Sequence, residues 1–228
     1  MILLAAFLIP AGLMAQSGKV FGGLGYYQPG VQFMMPKDIN SYLPASFPEV
    51  QFNPFMDAGG GFAVFYNFIV GADGGEFRGG TFTQGSTKVD LSAEYSSFKV
   101  GYMAFKKKGF YLYPMLGYGT NTMTLFVHGL ELTRSFDDLV SNPNVATTLV
   151  YKNSTAVLSL SGQYFVMGSK GGNNTGGLTI GFETGYQLPP FWHGEWTYDN
   201  GPVMGGPLFD LSGFFFRLSI GGGGLMIQ

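Results

Sequence analysis

The chain has 228 residues, a length that fits a single domain with a sizeable interior. Only 11% of the residues are charged and the formal net charge is −2, whereas about 25% of the residues in ordinary soluble domains are charged. This composition argues against a water-exposed globular surface and gives no reason to expect a nucleic-acid partner, and the absence of cysteine excludes disulfides, zinc–thiolate sites and thiol catalysis.

The first fifteen residues, MILLAAFLIPAGLMA, form the only continuous apolar run of the chain. The run is shorter than the roughly 20 residues that a transmembrane helix needs, and small residues near its end are typical of a secretory signal. We therefore predict a signal peptide over residues 1–15, cleavage before Gln16, and one domain over residues 16–228. No Lys or Arg precedes the run, and a buried N-terminal helix is the alternative. Any membrane insertion of the remaining chain must use strands.

After this segment, apolar and polar residues alternate in short runs that are separated by turn and loop residues. A period of two predicts strands, because successive strand side chains point to opposite faces. The eight predicted strands cover residues 19–28, 58–67, 68–77, 89–105, 110–122, 154–166, 178–188 and 208–221. Residues 79–88 and 123–152 are predicted to form two of the longer loops. Pro114 is the weakest point of a closed-barrel interpretation, because proline inside a strand usually marks an edge or a bulge.

The last predicted strand shows the alternation most clearly. One face is fully apolar and carries Phe214, Phe216, Leu218 and Ile220. The other face mixes small, polar and charged groups with one aromatic ring and carries Gly213, Phe215, Arg217 and Ser219. A soluble barrel or sandwich would turn the apolar face inward. A membrane barrel turns that face toward lipid and places Arg217 in the lumen.

The lengths of the links favour the membrane alternative. Links after the first, third, fifth and seventh predicted strands are long, and the other links are short or compact. Outer-membrane barrels have this asymmetry, with short periplasmic turns and longer external loops, whereas a soluble eight-stranded barrel has no reason to keep it. The sequence therefore predicts an all-β fold, an eight-stranded antiparallel up-and-down transmembrane β-barrel in the bacterial outer membrane.

An exported segment ending in MAQ, Gly- and aromatic-rich strands and the pattern F-x-F-x-L-x-I in the last strand resemble the small outer-membrane β-barrel proteins of the Bacteroidota. These proteins are similar in architecture to the eight-stranded OmpA/OmpX type. The resemblance covers the mature chain, is one of pattern and composition, and implies a Gram-negative cell envelope without implying an activity. The chain departs from the classical assembly signal, which ends in an aromatic residue, because it ends in GGGGLMIQ. Either the signal is displaced to residues 214–216, or the last residues form a tail beyond the strand.

Four charged side chains point into the lumen if the apolar faces look outward: Asp73, Lys99, Glu183 and Arg217. Charge inside a narrow barrel must be paired or hydrated. We predict a network of two acids and two bases that fills the lumen, with a gated polar path for small solutes as the alternative. Eight strands leave an interior just wide enough for side chains, which disfavours an open pore.

The predicted external loops are rich in aromatic residues. The candidates for recognition of proteins or sugars are Phe52, Phe55, Phe191, Trp192, Trp196 and Tyr198. Aromatic residues exposed on ordered loops suit recognition. The alternatives are an aromatic girdle at the membrane interface and mutual packing of the loops over the barrel mouth.

Catalysis has a weaker basis in the sequence. The two histidines, His128 and His193, lie in predicted external loops near Glu131 and Glu195, but no G-x-S-x-G motif and no spacing selects a nucleophile. No His, Asp and Glu residues have metal-ligand spacing, and no cofactor motif is present. We therefore predict that the protein is not an enzyme and holds no metal or cofactor, with a lipid-modifying enzyme as a minor alternative.

The function that these observations favour is a structural or binding role. Outer-membrane lipid is the expected surrounding, and other envelope proteins in a larger complex are the expected partners. A narrow, porin-like channel for small solutes is the main alternative function.

Overall fold

The computed structural model describes residues 18–34, 39–129, 146–171, 174–189, 194–199, 201–204 and 206–228. The predicted signal peptide therefore lies outside the described residues, as do Phe191, Trp192, His193 and Glu131. Within those ranges, no helix is long and apolar enough to cross a membrane.

The described residues form eight long strands and three short ones. The long strands are β1 (Val20–Met34), β2 (Phe55–Phe65), β3 (Phe68–Gln84), β4 (Thr87–Tyr102), β6 (Phe110–Gly129), β7 (Ala146–Gly171), β8 (Asn174–Gln187) and β11 (Gly213–Ile227). The short strands are β5 (Phe105–Lys107), β9 (Trp196–Tyr198) and β10 (Gly201–Val203). A 3-10 turn at Ile39–Tyr42 lies between β1 and β2.

The long strands close into a ring, because each pairs antiparallel with the next and β11 pairs with β1. The stagger of the ring is found by moving from each residue to its cross-strand partner. This path starts at Tyr26, passes through β2, β3, β4 and β6, and reaches Thr155 on β7. Partners followed from the same residue through β11 and β8 lead to Phe165. The two end points differ by 10 residues, and this stagger in a ring of eight tilts the strands by roughly 40°. The predicted eight-stranded antiparallel barrel is confirmed.

The two prolines inside the long strands lie where the hydrogen-bond ladder is interrupted on one side. Pro114 falls between the last β4–β6 pair, Gly101 opposite Met115, and the first β5–β6 pair, Phe105 opposite Leu112. Its missing N–H therefore costs no ladder bond. Pro29 lies in β1 at a gap in the β11 pairing, so the predicted end of the first strand at residue 28 is wrong.

Two predicted loops are in fact strands. Residues 79–88 belong mostly to β3 and β4, which join at the two-residue turn Gly85–Ser86, and the pairing continues past a bulge between Phe77 and Gly80. Residues 123–129 and 146–152 belong to β6 and β7. The four strands β3, β4, β6 and β7 have 17, 16, 20 and 26 residues and extend past the ends of β1, β2, β8 and β11.

The physical reason for this error is that the alternation reverses outside the membrane. Met123 and Leu125 are buried on the inner face of β6, where they pack against the loops, while the outer face carries Thr122 and Thr124. A segment with polar residues outward and apolar residues inward follows the soluble pattern. The predicted strands all follow the membrane pattern, with apolar residues outward. Where a strand changes to the soluble pattern, its residues no longer fit a predicted strand, and the sequence therefore predicts a loop.

The last strand begins and ends later than predicted. Residues 208–212 precede β11, and the glycine run 221–224 continues in the strand opposite β1 and does not form a tail beyond it. Glycine is required at Gly223, because a Cβ there would lie 2.1 Å from the carbonyl oxygen of Gly23. Close approach of the two backbones thus explains why the closing seam is built from glycine.

The apolar faces of most strands look outward. Phe98 of β4 and Leu218 of β11 are 55% and 56% exposed, and the alternate residues Lys99 and Arg217 are buried. These outward apolar residues form a belt around the barrel, here called the apolar belt. Exposed aromatic residues lie at both of its edges. These are Phe65, Phe68 and Tyr164 near the short turns, and Phe33, Phe55 and Phe214 near the long loops.

At the end of the barrel with the short turns, β1 and β2 depart from the expected alternation. Val20, Leu24, Phe62 and Val64 are buried inside the ring, together with Tyr111 and Phe165. Glycines take many of the corresponding outward positions, such as Gly23 and Gly61. The lumen is therefore closed at this end by an apolar cluster, which the outward-facing interpretation of the apolar residues did not predict.

Candidate functional site: the lumen and the external mouth

A cluster of four charged side chains fills the centre of the lumen. Lys99 Nζ lies 2.8 Å from Asp73 Oδ2 and 2.6 Å from Glu183 Oε1. Arg217 Nη1 lies 2.9 Å from Asp73 Oδ2 and 3.7 Å from Glu183 Oε2. The four residues predicted from the sequence thus meet in one network of two acids and two bases.

Two pairs of neighbouring strands build this network from opposite walls. Arg217 and Glu183 are direct cross-strand partners on β11 and β8. Asp73 and Lys99 come from β3 and β4, whose register places Asp73 opposite Ser97. Successive inward positions on adjacent strands therefore bring each acid beside a base, and the lumen is narrow enough for the two pairs to touch.

Aromatic and hydroxyl groups hold the network in place. Ser97 Oγ donates a hydrogen bond to Asp73, and Tyr95 OH donates to the same carboxylate over 3.3 Å. The Arg217 guanidinium lies between the rings of Tyr95 and Phe215, at 4.6 Å and 4.3 Å from their centroids. Cation–π contacts of this kind strengthen when the cation is desolvated, and Arg217 is only 1% exposed.

A chain of amides crosses the lumen on the external side of the charges. Gln32 Nε2 donates to Gln187 Oε1 (3.1 Å), Gln187 Nε2 donates to Asn121 Oδ1 (2.9 Å), and Asn121 Nδ2 donates to Asn153 Oδ1 (2.9 Å). The ends of the chain bind loop backbone, because Asn153 Nδ2 donates to the Phe209 carbonyl over 2.7 Å and Gln32 Nε2 donates to the carbonyl of Leu211. The amides therefore fasten the segment before β11 into the barrel mouth.

Sequence reasoning missed this amide chain. Gln32, Asn121 and Asn153 lie at or beyond the predicted strand ends, and isolated amides in such places carry no distinctive signal. The period-two position of Asn121, inward and in phase with residues 117 and 119, is the one signal that could have indicated it.

Side chains from the two long loops cover the amides. Leu211 is fully buried, and the rings of Phe209 and Phe52 stack with their centroids 5.2 Å apart. Trp196 lies 5.4 Å from the ring of Tyr151 and donates its indole N–H to the Pro207 carbonyl over 2.7 Å. The loops are therefore packed into the mouth and not merely above it.

The predicted recognition residues are placed in two different ways. Phe52 and Trp196 belong to the packing in the mouth, and Trp196 is 4% exposed. Phe55 at the start of β2 and Tyr198 in β9 are exposed, at 54% and 44%. Phe55 lies among the outward aromatic residues at the external end of the belt, whereas Tyr198 lies beyond it on the loop that follows β8.

His128 lies at the external end of β6 and contacts an acid. Its Nε2 is 3.2 Å from Asp90 Oδ2, and Thr81 donates a hydrogen bond to the other carboxylate oxygen. Burial raises the pKa of Asp90, but the hydrogen bonds from Thr81 and His128 and the charge of Lys88 outweigh that effect, and the net pKa is lowered. Thr81 binds the carboxylate and not the imidazole, which is not the order of a nucleophile–base–acid triad.

The closed ring, the apolar belt and the aromatic residues at both of its edges define an outer-membrane β-barrel. The protein is located in the bacterial outer membrane. The end of the barrel that holds the start of β1 and the turns Tyr66–Asn67 and Lys108–Gly109 is the periplasmic end. The long loops and the extended strands β3, β4, β6 and β7 lie at the external end. From here on, these are called the periplasmic end and the external end.

Comparisons with solved structures return small outer-membrane proteins. Ail, the attachment invasion locus protein of Yersinia pestis, solved with the heparin analogue sucrose octasulfate, is 14% identical, with a TM-score of 0.42 over 92% of this chain and 100% of that chain. Outer membrane protein AlkL in DMPC bilayers is 13% identical, with a TM-score of 0.36 over 94% of each chain. The outer membrane protease OmpT from Escherichia coli is 9% identical, with a TM-score of 0.33 over 95% of this chain and 100% of that chain.

No family model and no characterised protein sequence matches the chain. The membrane assignment follows from the ring and the belt of this chain itself. The activities that appear in the names of these structures are those of the other proteins and are not assigned to this chain.

Proposed function

We propose that the protein has a structural or binding role in the outer membrane, with recognition of a partner at its external end. One observation carries the proposal: the lumen is closed at three levels, by the apolar cluster at the periplasmic end, by the central charge network and by the loops fastened in the mouth. A barrel closed in this way presents its outer wall and its external end to other molecules. Other envelope proteins of a larger complex, of the Bacteroidota type that the sequence pattern resembles, are the proposed partners.

The external end has the features of a rigid presenting surface. Strands β3, β4, β6 and β7 continue there as a paired sheet, and β9 adds to its edge through the pairs Val150–Thr197 and Tyr151–Trp196. The inner face of this sheet packs on the loop residues, so that its outer face and the exposed ring of Tyr198 are held in place. Preorganised surfaces lose little conformational entropy when they bind.

The experiment that tests this role combines conductance with site-specific cross-linking. Full-length protein in planar bilayers is expected to show no steady conductance. A photoreactive amino acid at Tyr198 is expected to cross-link to a discrete envelope partner in intact cells. The matched control is the same photoreactive residue at Phe216, which faces the lipid belt and is expected to give lipid adducts only.

Steady single-channel steps from the wild-type protein would overturn the closed-lumen part of the proposal. Identical adduct patterns at Tyr198 and Phe216 would overturn recognition at the external end. The two parts of the proposal are thus tested separately.

A channel for small solutes is the second candidate function, and one observation favours it. Gln28 Oε1, Ser159 Oγ and Arg217 Nε are buried polar atoms without a hydrogen-bond partner among the described residues. Buried polar groups of this kind usually bind internal water. A hydrated lumen could conduct if the loops left the mouth, and the bilayer experiment decides between the two functions.

We further propose that the protein is not an enzyme. The one histidine that the structure describes contacts Asp90 in the arrangement given above, at an exposed hairpin far from the lumen charges. Unchanged lipid A masses in cells with and without the protein would agree with this proposal. A mass shift that disappears in His128→Ala would contradict it.

A further inference from the structure

The periplasmic end of the barrel is positively charged. Lys19, Lys106, Lys107 and Lys108 lie there, beside the first residues of β1 and in the link around β5. Every acidic side chain in the described part of the chain lies either in the lumen network or on its external side. The two ends of the molecule therefore differ in charge far more than the net value of −2 indicates.

Two of these four lysines, Lys106 and Lys19, contact groups of the protein itself. Lys106 Nζ donates a hydrogen bond to the Gly18 carbonyl, and Lys19 Nζ lies 4.4 Å above the ring of Tyr66. Lys107 and Lys108 are exposed and take part in no salt bridge that the structure shows. Their ammonium groups are thus available to a ligand.

The turn that carries them is costly for a lysine. Lys107 pairs with Phe110, so Lys108 and Gly109 form a two-residue hairpin turn with φ values of 51° and 84°. Asn, Asp or Gly is preferred at the first position of such a turn, because a side chain with a Cβ is strained at positive φ. A lysine at this position is not explained by the requirements of the turn.

The lysines border a cavity of about 470 Å³ at the periplasmic rim of the barrel, between the outward ring of Tyr164 and Tyr111 of the apolar cluster inside the ring. Lys106, Lys107, Lys108, Tyr111, Tyr164 and Thr175 line it. Tyr164 is 39% exposed and belongs to the aromatic residues that mark the periplasmic edge of the belt. The cavity therefore lies at the level of the lipid headgroups in the periplasmic leaflet, where lysine side chains extend along apolar surface toward water.

We propose that this basic cavity binds the phosphodiester headgroup of an anionic phospholipid of the periplasmic leaflet. Lys107 and Lys108 supply the positive charge, and Tyr164 and the neighbouring belt contact the upper part of the acyl chains. The site lies at the opposite end from the proposed recognition surface and does not depend on it. The shared chemistry is a phosphate group, which a soluble phosphate could also supply.

The test uses the full-length refolded protein in neutral detergent, with lipid binding measured by native mass spectrometry. Phosphatidylglycerol is titrated against phosphatidylcholine, which has the same phosphodiester but no net charge. Wild-type protein is expected to retain phosphatidylglycerol preferentially. Each lysine near an anionic lipid contributes roughly fivefold to affinity, equivalent to about 1 kcal/mol, so Lys107→Ala/Lys108→Ala is expected to lose this preference by roughly 25-fold.

The matched control is Lys88→Ala/Lys152→Ala, which removes two lysines from the external end. Neither pair of lysines contributes to the core, so both double variants are expected to fold. The mobility shift of a folded barrel on an unboiled denaturing gel checks this first. A preference for phosphatidylglycerol that is unchanged in Lys107→Ala/Lys108→Ala, or equally reduced in the control, would overturn the proposal. Displacement of the lipid by equimolar inorganic phosphate would show a soluble-anion site and would also overturn it.

Discussion

The central charge network makes a quantitative prediction for Asp73→Asn. Asp73 accepts hydrogen bonds from Lys99 and Arg217 at 2.8 Å and 2.9 Å, and all three side chains are at most 5% exposed. Loss of its charge leaves two buried bases facing Glu183 alone. Breaking a buried ion pair by removing one partner typically costs about 3–5 kcal/mol, because the remaining charge stays desolvated.

Urea unfolding of the refolded barrel in lipid vesicles measures this cost. Tyrosine and tryptophan fluorescence follows the unfolding transition, and the unboiled gel shift distinguishes the folded barrel from the unfolded chain. Linear extrapolation to zero urea gives the free energy of unfolding. We expect Asp73→Asn to lower that free energy by about 3–5 kcal/mol. The matched control is Asp57→Asn, because Asp57 pairs with Arg78 over 3.2 Å on the exposed outer wall, where solvent screens the pair and the expected loss is much smaller than that of Asp73→Asn.

A second substitution tests whether the charge imbalance is the cause. Asp73→Asn/Lys99→Met leaves one acid and one base in the lumen, and it is expected to be more stable than Asp73→Asn alone. The reasoning is refuted if Asp73→Asn costs no more than Asp57→Asn, or if the double variant loses the sum of the two single effects. Additive losses would mean that the two side chains do not interact in the folded barrel.

Three further predictions concern the mouth, the strands and the external hairpin. Asn153→Ala removes the donor to the Phe209 carbonyl, and it is expected to cost about 1–3 kcal/mol and to speed proteolysis of residues 206–212; unchanged cleavage would contradict the amide anchor. Gly119→Ala is expected to impair folding, because its Cβ would lie 2.1 Å from a backbone oxygen, whereas Gly25→Ala should leave the gel shift intact, since its nearest neighbour is 3.9 Å away. Because the pKa of Asp90 is lowered in the fold, its contribution to stability is present above its ordinary pKa of 3.8 and is lost as the pH falls below that value; the protection factors of the hairpin amides, taken against the intrinsic exchange rate at each pH, should fall between pH 5 and pH 3 in wild type but not in Asp90→Asn.

The class of fold and the inward direction of the lumen charges could be predicted from the sequence. Strand side chains alternate between two environments, and within the membrane those environments are hydrocarbon and a narrow lumen. The opposite preferences of Leu218 and Arg217 therefore reveal which way each strand faces, and the same reasoning applies to Phe98 and Lys99. Local alternation needs no knowledge of the partner strand.

Which inward residues meet could not be predicted, because it depends on the register of the closed ring. Asn121 and Asn153 are neighbours across β6 and β7, but Gln32 joins their chain only because the ring closes with a stagger of 10 residues. That stagger depends on all the pairings together, including the glycine seam between β1 and β11. No single strand carries this information.

The external end also depended on the tertiary structure. Beyond the membrane, Met123 faces inward because Val50 and Phe209 of distant loops cover it. The same period of two then has the opposite meaning, because the surroundings of the outer face change from lipid to water. A sequence records the alternation of its side chains, and only the packed barrel shows where along each strand the solvent changes.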